Sequence, residues 1–322
     1  MKTIAFVAAV FAALQFPAFE ANAQPWPARP VTVVVPYPPG GTNDVVARLY
    51  AERLGKALGQ PFVVDNRGGA AGMVGTASVA KGTPDGYLLM VGNNATHVIQ
   101  PLISASIQYD PVKDFTPVAQ LVEAPQFLGV NAELPIRSVA DLVQTAKREP
   151  GKLNYGSAGS GSFGNFGGEM LKLQTGIDVV HIPYRGSGAA VADLAAGRVQ
   201  FMLDPVVVGQ MKSGKVRVIA TTSPRRFPAL PDVPTMMESG LPGFALVGWF
   251  AMFGPANLPR EIVTKLFDAI SATSQDAGLQ QKILAAGIAP SVKGPEGLAS
   301  ALKADLQLYA EIKRRANIKV VE

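Results

Sequence analysis

The most informative residues of this chain are Pro36-Tyr37-Pro38-Pro39-Gly40-Gly41-Thr42-Asn43-Asp44. They follow an apolar run at residues 31–35 and precede an amphipathic segment at residues 45–58. A strand, a glycine turn and a helix start in this order direct several unpaired backbone N–H groups at one point. Such a point binds an anion through the main chain and the helix dipole. The segment therefore predicts an anion site built without charged side chains.

A second glycine loop, Ser157-Ala158-Gly159-Ser160-Gly161-Ser162, has the same setting between a strand pattern and a helix pattern. After each loop the chain continues through a helix and a strand to an arginine, Arg67 or Arg185, and then to another helix. If this echo is structural, each half places two helix starts at the carboxyl edge of its sheet, where open α/β sheets bind ligands. The ordinary alternation of strands and helices also produces this order, so both interpretations stay open.

Alternating strand and helix patterns along the chain predict an α/β fold. The β-branched run at residues 31–35 indicates strands buried on both faces, and hence mostly parallel sheets covered by helices. We expect two Rossmann-like lobes with a ligand cleft at a hinge of two segments, near residues 122–125 and 244–250. The expected division assigns residues 24–123 to the first part of lobe 1, 124–244 to lobe 2, and 245–322 to the hinge return and the rest of lobe 1.

Residues 1–23 have the features of a cleavable signal peptide, with Lys2 before an apolar stretch and Ala21-Asn22-Ala23 as the cleavage site. We expect cleavage after Ala23 and a mature protein in the periplasm. The apolar stretch is shorter than the about 20 residues of a membrane-spanning helix. A non-spanning N-terminal anchor is the alternative. The sequence contains no cysteine, which excludes disulfides and a lipid anchor on cysteine.

The formal net charge is +5, and lysine and arginine are scattered along the chain. This pattern gives no support to nucleic-acid binding and mildly favours anionic ligands. With no cysteine and two histidines at unrelated spacing, we expect no metal site. We expect no cofactor, and a monomer.

In the first loop, Gly40 and Gly41 can adopt positive φ and let a ligand approach the backbone. Asp44 would compete with a bound anion, so it either caps the helix through neighbouring N–H groups or receives a ligand ammonium. Tyr37 either lies against the carbon chain of the ligand or packs on the turn.

The second loop adds hydroxyl groups, which together with backbone amides suit a carboxylate. Residues 159–164 also match the G-x-G-x-x-G pattern of a dinucleotide site. The acidic residue that should bind the ribose is missing, because Asp178 starts the next strand instead of ending it. Arg185 could accept a ribose phosphate, but exported compartments seldom supply free dinucleotide. We therefore favour the carboxylate.

Catalytic chemistry finds little support, because the chain has no G-x-S-x-G and only His97 and His181 as histidine bases. His181 fits an apolar strand as a core residue. His97 follows Asn94 and Thr96 just beyond a strand end, so it either reaches the cleft or caps the next segment. Asp204, at another strand end, either lines the cleft or caps a turn. We expect that the protein is not an enzyme.

The chain resembles the substrate-binding proteins of tripartite tricarboxylate transporters, the Bug or TctC family. The resemblance covers nearly all of residues 26–322. It is carried, in order, by Pro36-Tyr-Pro-Pro-Gly-Gly-Thr-Asn-Asp-Val-Val-Ala-Arg48, Val64-Asp-Asn-Arg-Gly-Gly-Ala-Ala-Gly72, Pro84-Asp-Gly-Tyr-Leu-Leu89, Tyr155-Gly-Ser-Ala-Gly-Ser-Gly-Ser162, His181-Ile-Pro-Tyr-Arg-Gly186 and Ser223-Pro-Arg-Arg-Phe-Pro-Ala-Leu-Pro-Asp-Val-Pro-Thr235.

This resemblance implies a type II periplasmic-binding-protein fold and a small carboxylate held between two loops that act as pincers. It implies a dicarboxylate, amino acid or aromatic acid as ligand and the membrane permease of a tripartite tricarboxylate-type transporter as partner. A carboxylate-sensing subunit that acts on a signalling receptor is the alternative. Asn165 stands where many relatives carry histidine. Together, residues and resemblance predict these ligand-binding positions: Tyr37, Gly40, Gly41, Thr42, Asn43, Asp44, Asn94, Thr96, His97, Gly159, Ser160, Gly161, Ser162, Asn165, Arg185, Gly186 and Asp204.

Overall fold

The computed structural model describes residues 26–315. The predicted signal peptide and its cleavage site lie outside the described residues. The strands are β1 (Val31–Val35), β2 (Phe62–Asn66), β3 (Leu88–Asn93), β4 (Phe115–Pro125), β5 (Phe127–Asn131), β6 (Asn154–Ser157), β7 (Val180–Pro183), β8 (Phe201–Leu203), β9 (Val216–Thr221), β10 (Val247–Pro255) and β11 (Ala289–Lys293).

The α-helices of residues 26–315 alternate with these strands. They are α1 (Thr42–Leu58), α2 (Met73–Ala80), α3 (Gln100–Ile103), α4 (Val139–Arg148), α5 (Phe163–Thr175), α6 (Ser187–Ala195), α7 (Val206–Gln210), α8 (Arg260–Thr273), α9 (Ala277–Ala285) and α10 (Pro295–Arg315). A wide turn with an i→i+5 hydrogen bond, Ala95–Ile99, precedes α3. Within the described range, none of the helices combines the length and the apolar character that crossing a bilayer requires.

The strands form two mixed sheets, which we use to name two lobes. Lobe 1 is built on the six-stranded sheet in the order β11-β4-β10-β3-β1-β2. Lobe 2 is built on the five-stranded sheet in the order β7-β6-β8-β5-β9. The predicted α/β class is confirmed, whereas the residue boundaries proposed for the lobes stay a prediction.

The expectation of mostly parallel sheets is wrong. Strand β1 runs parallel to β2 and β3, but β10 is antiparallel to both β3 and β4, and β11 is antiparallel to β4. In lobe 2, β5 is antiparallel to both of its neighbours. The reason is the path of the chain, because β4 leaves lobe 1 at Pro125 and β10 returns to it at Val247, so these two strands run in opposite directions.

Both faces of each sheet are covered, as the apolar run at Val31–Val35 predicted. Val31, Val33 and Val35 belong to the core on one face of the first sheet, and Val34 belongs to the core on the other. All four are fully buried. The second of these cores also includes Phe166 of α5, which packs on Tyr309 of α10 with ring centroids 5.2 Å apart. An element of lobe 2 is therefore packed against an element of lobe 1.

Candidate functional site

A pocket with an empty volume of about 580 Å³ lies between the lobes. It lies at the carboxyl ends of β1 and β3 in lobe 1 and of β6 and β8 in lobe 2, and the hinge strands β4 and β10 close its floor. Its lining residues are Tyr37, Pro38, Gly41, Thr42, Asn43, Asn93, Asn94, Ala95, Ala124, Gln126, Ala158, Ser162, Phe163, Gly164, Ser187, Asp204, Pro205, Gly248, Trp249 and Phe250. We call residues 36–41 loop 1 and residues 158–162 loop 2.

The start of α1 lies at this pocket, directly after loop 1. The helix begins at Thr42, before the amphipathic segment at residues 45–58, and Gly41 is its N-cap. The first amide bonded to the helix cap is that of Val45, which donates to Gly41 O at 3.1 Å. The N–H groups of Thr42, Asn43 and Asp44 precede that bond, and they are the free donors of a helix start.

Only one of the two glycines of loop 1 has positive φ. Gly40 has φ +89°, whereas Gly41 has an extended backbone with φ −88°. Of the two glycines that could adopt positive φ, Gly40 alone does so. Gly41 lies next to lobe 2, because a Cβ there would be in van der Waals contact with Ser187 Cβ at 3.6 Å.

Asn43 is the most unusual side chain of the pocket. It is only 4% exposed, and neither Nδ2 nor Oδ1 has a hydrogen-bond partner among the described residues. Leaving a buried polar group unpaired costs about 1–3 kcal/mol. Asn43 is therefore a pocket residue whose amide has unused hydrogen-bonding capacity.

Asp44 does not line the pocket, although the sequence placed it among the ligand-binding residues. Its carboxylate accepts hydrogen bonds from Gly40 N at 3.1 Å, Arg48 Nε at 2.9 Å and Asn66 Nδ2 at 3.0 Å. Burial alone would raise the pKa of Asp44, but these hydrogen bonds, with Arg48 foremost, hold it below its usual range. Of the two alternatives, the geometry agrees with the cap, since the charge is already paired within lobe 1.

Loop 2 brings the start of α5 to the opposite wall. Ser162 is the N-cap, and its Oγ accepts a hydrogen bond from Asn165 N at 3.2 Å. Gly159 and Gly161 have φ of +128° and +72°. Ser160 is exposed, and its carbonyl accepts a hydrogen bond of 3.2 Å from Gln100 Nε2 across the cleft. Ser162 lines the pocket, whereas Gly159 and Ser160 line a larger outer chamber of about 1580 Å³.

Asn165 supports loop 2 from behind and does not line the pocket. Its Oδ1 accepts a hydrogen bond from Gly161 N at 2.9 Å, and its Nδ2 donates to the Tyr155 hydroxyl at 2.9 Å. That hydroxyl donates in turn to Glu169 at 2.6 Å. Both ends of the amide are therefore used inside lobe 2.

A third helix start, that of α6, also faces the pocket. Gly186 is its N-cap, and Ser187, its first residue, lines the cavity. Sequence reasoning found Gly186 but missed Ser187, although the echo of the first loop pointed to this helix start. Arg185 is exposed and lines the outer chamber instead.

Asp204 lies at the meeting point of the lobes and lines the pocket. Its Oδ1 accepts hydrogen bonds from Thr42 Oγ1 at 3.1 Å and Val206 N at 2.9 Å, and its Oδ2 accepts one from Ser187 Oγ at 2.6 Å. Burial raises the pKa of Asp204, and these three donors oppose that rise. Because Thr42 belongs to lobe 1, its hydroxyl joins the two lobes directly.

The structure corrects the expectation that His97 reaches the cleft. The wide turn at Ala95–Ile99 directs its ring into the core of lobe 1, where it stacks on Phe253 with centroids 4.1 Å apart. Its only hydrogen bond among the described residues joins Nδ1 to Thr96 Oγ1 at 2.9 Å. Burial lowers the pKa of His97 to about 3, so the ring is neutral. Thr96 is likewise buried and outside the pocket lining. Its hydroxyl accepts a hydrogen bond from Asn93 N and donates one to Asn93 O, both at 3.1 Å.

Asn94 does line the pocket, and its amide is fixed by two residues that the sequence did not place there. Its Nδ2 donates to Asp305 Oδ2 at 2.9 Å, and its Oδ1 accepts from Trp249 N at 2.6 Å. The Trp249 indole also donates to Asp305 Oδ2, at 2.8 Å. Neither Trp249 nor Asp305 belongs to a sequence motif that signals this role.

The pocket lining holds one formal charge. Of the lining residues, Asp204 is the sole acid, and lysine, arginine and histidine do not occur among them. The Tyr37 hydroxyl stays neutral, because burial raises its pKa, and it donates to Ala71 O at 3.3 Å. Across the described part of the chain, no cluster of three acidic or histidine side chains could hold a metal ion. The positive ends of three helices are therefore the main attraction for an anion.

Sequence comparisons find relatives over most of this chain. A family model described as the tripartite tricarboxylate transporter family receptor, TctC, matches residues 46–305. The protein BugT of Bordetella pertussis is 33% identical, and the alignment covers 99% of each chain.

Two solved structures are similar in sequence and in fold. A protein of R. palustris with adipate is 36% identical, with a TM-score of 0.88 over 91% of this chain and 99% of that one. MatC from Rhodopseudomonas palustris with bound malate is 33% identical, with a TM-score of 0.83 over 89% of this chain and 99% of that one. The periplasmic-binding-protein fold and the family resemblance predicted from the motifs are confirmed. The chain therefore belongs to the receptors of the tripartite tricarboxylate transporter family, which are substrate-binding proteins and not enzymes.

Proposed function

We propose that this protein is a periplasmic receptor that captures a small carboxylate between loop 1 and loop 2 and delivers it to the permease of a tripartite tricarboxylate-type transporter. The observation that carries the proposal is the convergence of the starts of α1, α5 and α6 on one pocket, in which the Asn43 amide has no partner from residues 26–315. Each helix start offers backbone N–H donors and a positive dipole end to an anion.

The ligand is held mainly by neutral donors. The proposed contacts are the N–H groups at the start of α1, the Asn43 amide, and the N–H groups of Phe163 and Gly164 at the start of α5. The Ser162 hydroxyl accepts from Asn165 N, so its O–H can still donate to the ligand. Because the donors come from both lobes, a bound carboxylate ties the lobes together. Two relatives of this chain have been solved with adipate and with malate, which supports a carboxylate as the ligand class.

A binding experiment tests the capture step. The mature protein is unfolded, dialysed to remove any endogenous ligand, and refolded, and its Tm is measured with a library of mono- and dicarboxylates. A ligand at 100 times its Kd stabilises the native state by about 2.7 kcal/mol, so a true ligand raises Tm clearly. The matched control is the amide of each acid, which keeps the shape and removes the charge. No rise with any acid, on protein that refolds cooperatively, contradicts the proposal.

Delivery and export need separate experiments. The mature protein loaded with its ligand should retain permease subunits from detergent-solubilised membranes, and the ligand-free protein should retain fewer. Capture of the ectodomain of a signalling receptor, with permease absent, would instead identify a sensing subunit.

The N-terminal sequence of the protein recovered from the periplasm should begin at Gln24. Light scattering of the mature protein should give the mass of a monomer.

A further inference from the structure

Two residues of the ligand pocket are held by a carboxylate that lies outside its lining, that of Asp305 in α10. Asp305 Oδ2 accepts hydrogen bonds from Asn94 Nδ2 at 2.9 Å and from Trp249 Nε1 at 2.8 Å. Both donors line the pocket, whereas Asp305 is absent from the lining that the described residues form. Any influence of Asp305 on a bound ligand must therefore pass through these two side chains.

The Asn94 amide is held at both ends. Its Nδ2 donates to Asp305, and its Oδ1 accepts from Trp249 N at 2.6 Å. In the opposite orientation, the carbonyl oxygen would face the carboxylate of Asp305 and the amino group would face a backbone N–H. Two acceptors would then meet at one end and two donors at the other. The amide of this buried residue therefore has a single favourable orientation.

The Trp249 ring is anchored from a second cavity, which we call the rear groove. This groove has an empty volume of about 1120 Å³, and its lining includes Glu123, Trp249, Lys293, Ala301 and Asp305. Trp249 thus lines both the groove and the ligand pocket. A buried indole N–H requires a hydrogen-bond acceptor, and Asp305 supplies it from the groove.

The same face of α10 also contacts lobe 2. Tyr309 lies one helical turn after Asp305, so the two side chains share a face of the helix. The Tyr309 ring packs near Phe163 and Phe166, with centroids 6.3 Å and 5.2 Å away. Phe163 is the first residue of α5 and lines the pocket. One face of α10 therefore supports pocket residues from both lobes.

We infer that Asp305 is a positioning residue for ligand binding, an inference that rests on the proposed function. Its carboxylate fixes the Asn94 amide and the Trp249 indole before the ligand arrives, so these groups need not be ordered during binding. Such preorganisation improves affinity by lowering the cost of ordering. Without the carboxylate, two buried donors lose their acceptor, and the side chains must move to find another.

Substitutions of Asp305 test this role in a Trp26→Phe parent. The sequence contains two tryptophans, so the fluorescence of this parent reports Trp249 alone. Calorimetric titration with adipate and with malate should give a Kd about tenfold higher in Asp305→Ala than in the parent. Asp305→Asn keeps a neutral oxygen acceptor, so it should recover most of this loss. The emission maximum of the ligand-free protein should shift in Asp305→Ala and shift less in Asp305→Asn.

Two variants of α10 serve as controls. Leu298→Ala removes a buried side chain of the same helix, so the Tm should fall while the Kd and the emission of Trp249 stay unchanged. Gln307→Ala changes an exposed residue and should alter none of the three quantities.

Unchanged Kd or unchanged emission in Asp305→Ala overturns the inference. A rise in Kd of the same size in Leu298→Ala, at an equal loss of Tm, also overturns it, since the effect would then be one of general stability. If neither acid binds the parent, the titration uses the acid of the library that raises its Tm. If no carboxylate binds, the proposed function fails, and the ligand-free emission still decides whether Asp305 holds Trp249.

Discussion

At the start of α5, the side chains of Ser162 and Asn165 are bonded within lobe 2, whereas at the start of α1 the side chain of Asn43 has no partner in the described part of the chain. Gly41 caps α1 without any side chain, while Ser162 caps α5 with its hydroxyl. The side chains at the start of α5 are thus held within lobe 2 before a ligand binds. At the start of α1, the donor and the acceptor of Asn43 stay without a partner among the described residues. We therefore expect the ligand affinity to depend most on the start of α1, and the rigidity of the site to depend most on the start of α5.

The largest expected effect on ligand affinity is that of replacing Asn43, at the start of α1. Asn43→Ala should weaken ligand binding between tenfold and a hundredfold, because a hydrogen bond to a charged group contributes about 1.5–3 kcal/mol. The Tm of the ligand-free protein should not fall, since the amide has no partner in the described structure. Calorimetry and a thermal melt measure the two quantities.

Asn165→Ala is the matched amide in lobe 2. It removes the bonds to Gly161 N and to the Tyr155 hydroxyl, so the Tm should fall and the affinity should change less than in Asn43→Ala. If Asn165→Ala weakened binding more than Asn43→Ala while leaving Tm unchanged, the proposed division of roles between the loops would be reversed.

A smaller effect is expected where loop 2 meets lobe 1. A Cβ at Gly161 would lie 2.5 Å from Gln100 Nε2 and 2.6 Å from Ile103 Cδ1 across the cleft. Gly161→Ala should therefore hinder contact between the lobes and weaken binding roughly tenfold, as overpacking costs about 1–3 kcal/mol. X-ray scattering at saturating ligand should give a larger radius of gyration than for the wild type.

The control for this substitution is in loop 1. Gly40 also has positive φ, but a Cβ there would meet no heavy atom within 4 Å. Gly40→Ala should lower the free energy of unfolding by about 1–2 kcal/mol, because the added Cβ strains a backbone with positive φ. It should leave the radius of gyration of the complex unchanged. Equal scattering curves for both variants would show that the approach of Gly161 to lobe 1 is unimportant for closure.

The smallest effect concerns the helix caps. Ser162→Ala should lower the free energy of unfolding by about 1 kcal/mol, the usual contribution of an N-cap side chain. Ser138→Ala removes the corresponding cap of α4, where Ser138 Oγ accepts from Asp141 N at 3.1 Å. Denaturant melts should show similar losses, while only Ser162→Ala should change ligand affinity. A similar affinity change in Ser138→Ala would place the effect in global stability.

Much of the architecture could be predicted from the sequence, because strand, glycine loop and helix follow one another within a few residues. Local order was enough to place loop 1 and loop 2 at the carboxyl edges of their sheets. It was not enough to give strand direction, since the antiparallel pairing of β4 and β10 depends on where the chain crosses between the lobes. The expectation that His97 reaches the cleft was wrong for a similar reason, because the wide turn at Ala95–Ile99 directs the ring away from the strand end.

Contacts between distant segments set the rest of the candidate site. Asp305 holds Asn94 and Trp249, yet it belongs to the last helix, and no local pattern links these three residues. Asn43 and Asp44 are adjacent in the sequence, but Arg48 and Asn66 pair Asp44 within lobe 1 and leave Asn43 to the pocket. Which of two neighbouring polar residues faces the cleft is decided by helix phase and by partners that only the fold brings near.

The contact of Phe166 with Tyr309 has a thermodynamic consequence. Both rings are buried where α5 meets α10, so separating the lobes would bring aromatic carbon into contact with water. Hydration of apolar surface raises heat capacity. A receptor that closes on its ligand through this contact should therefore bind with an enthalpy that becomes more favourable as the temperature rises.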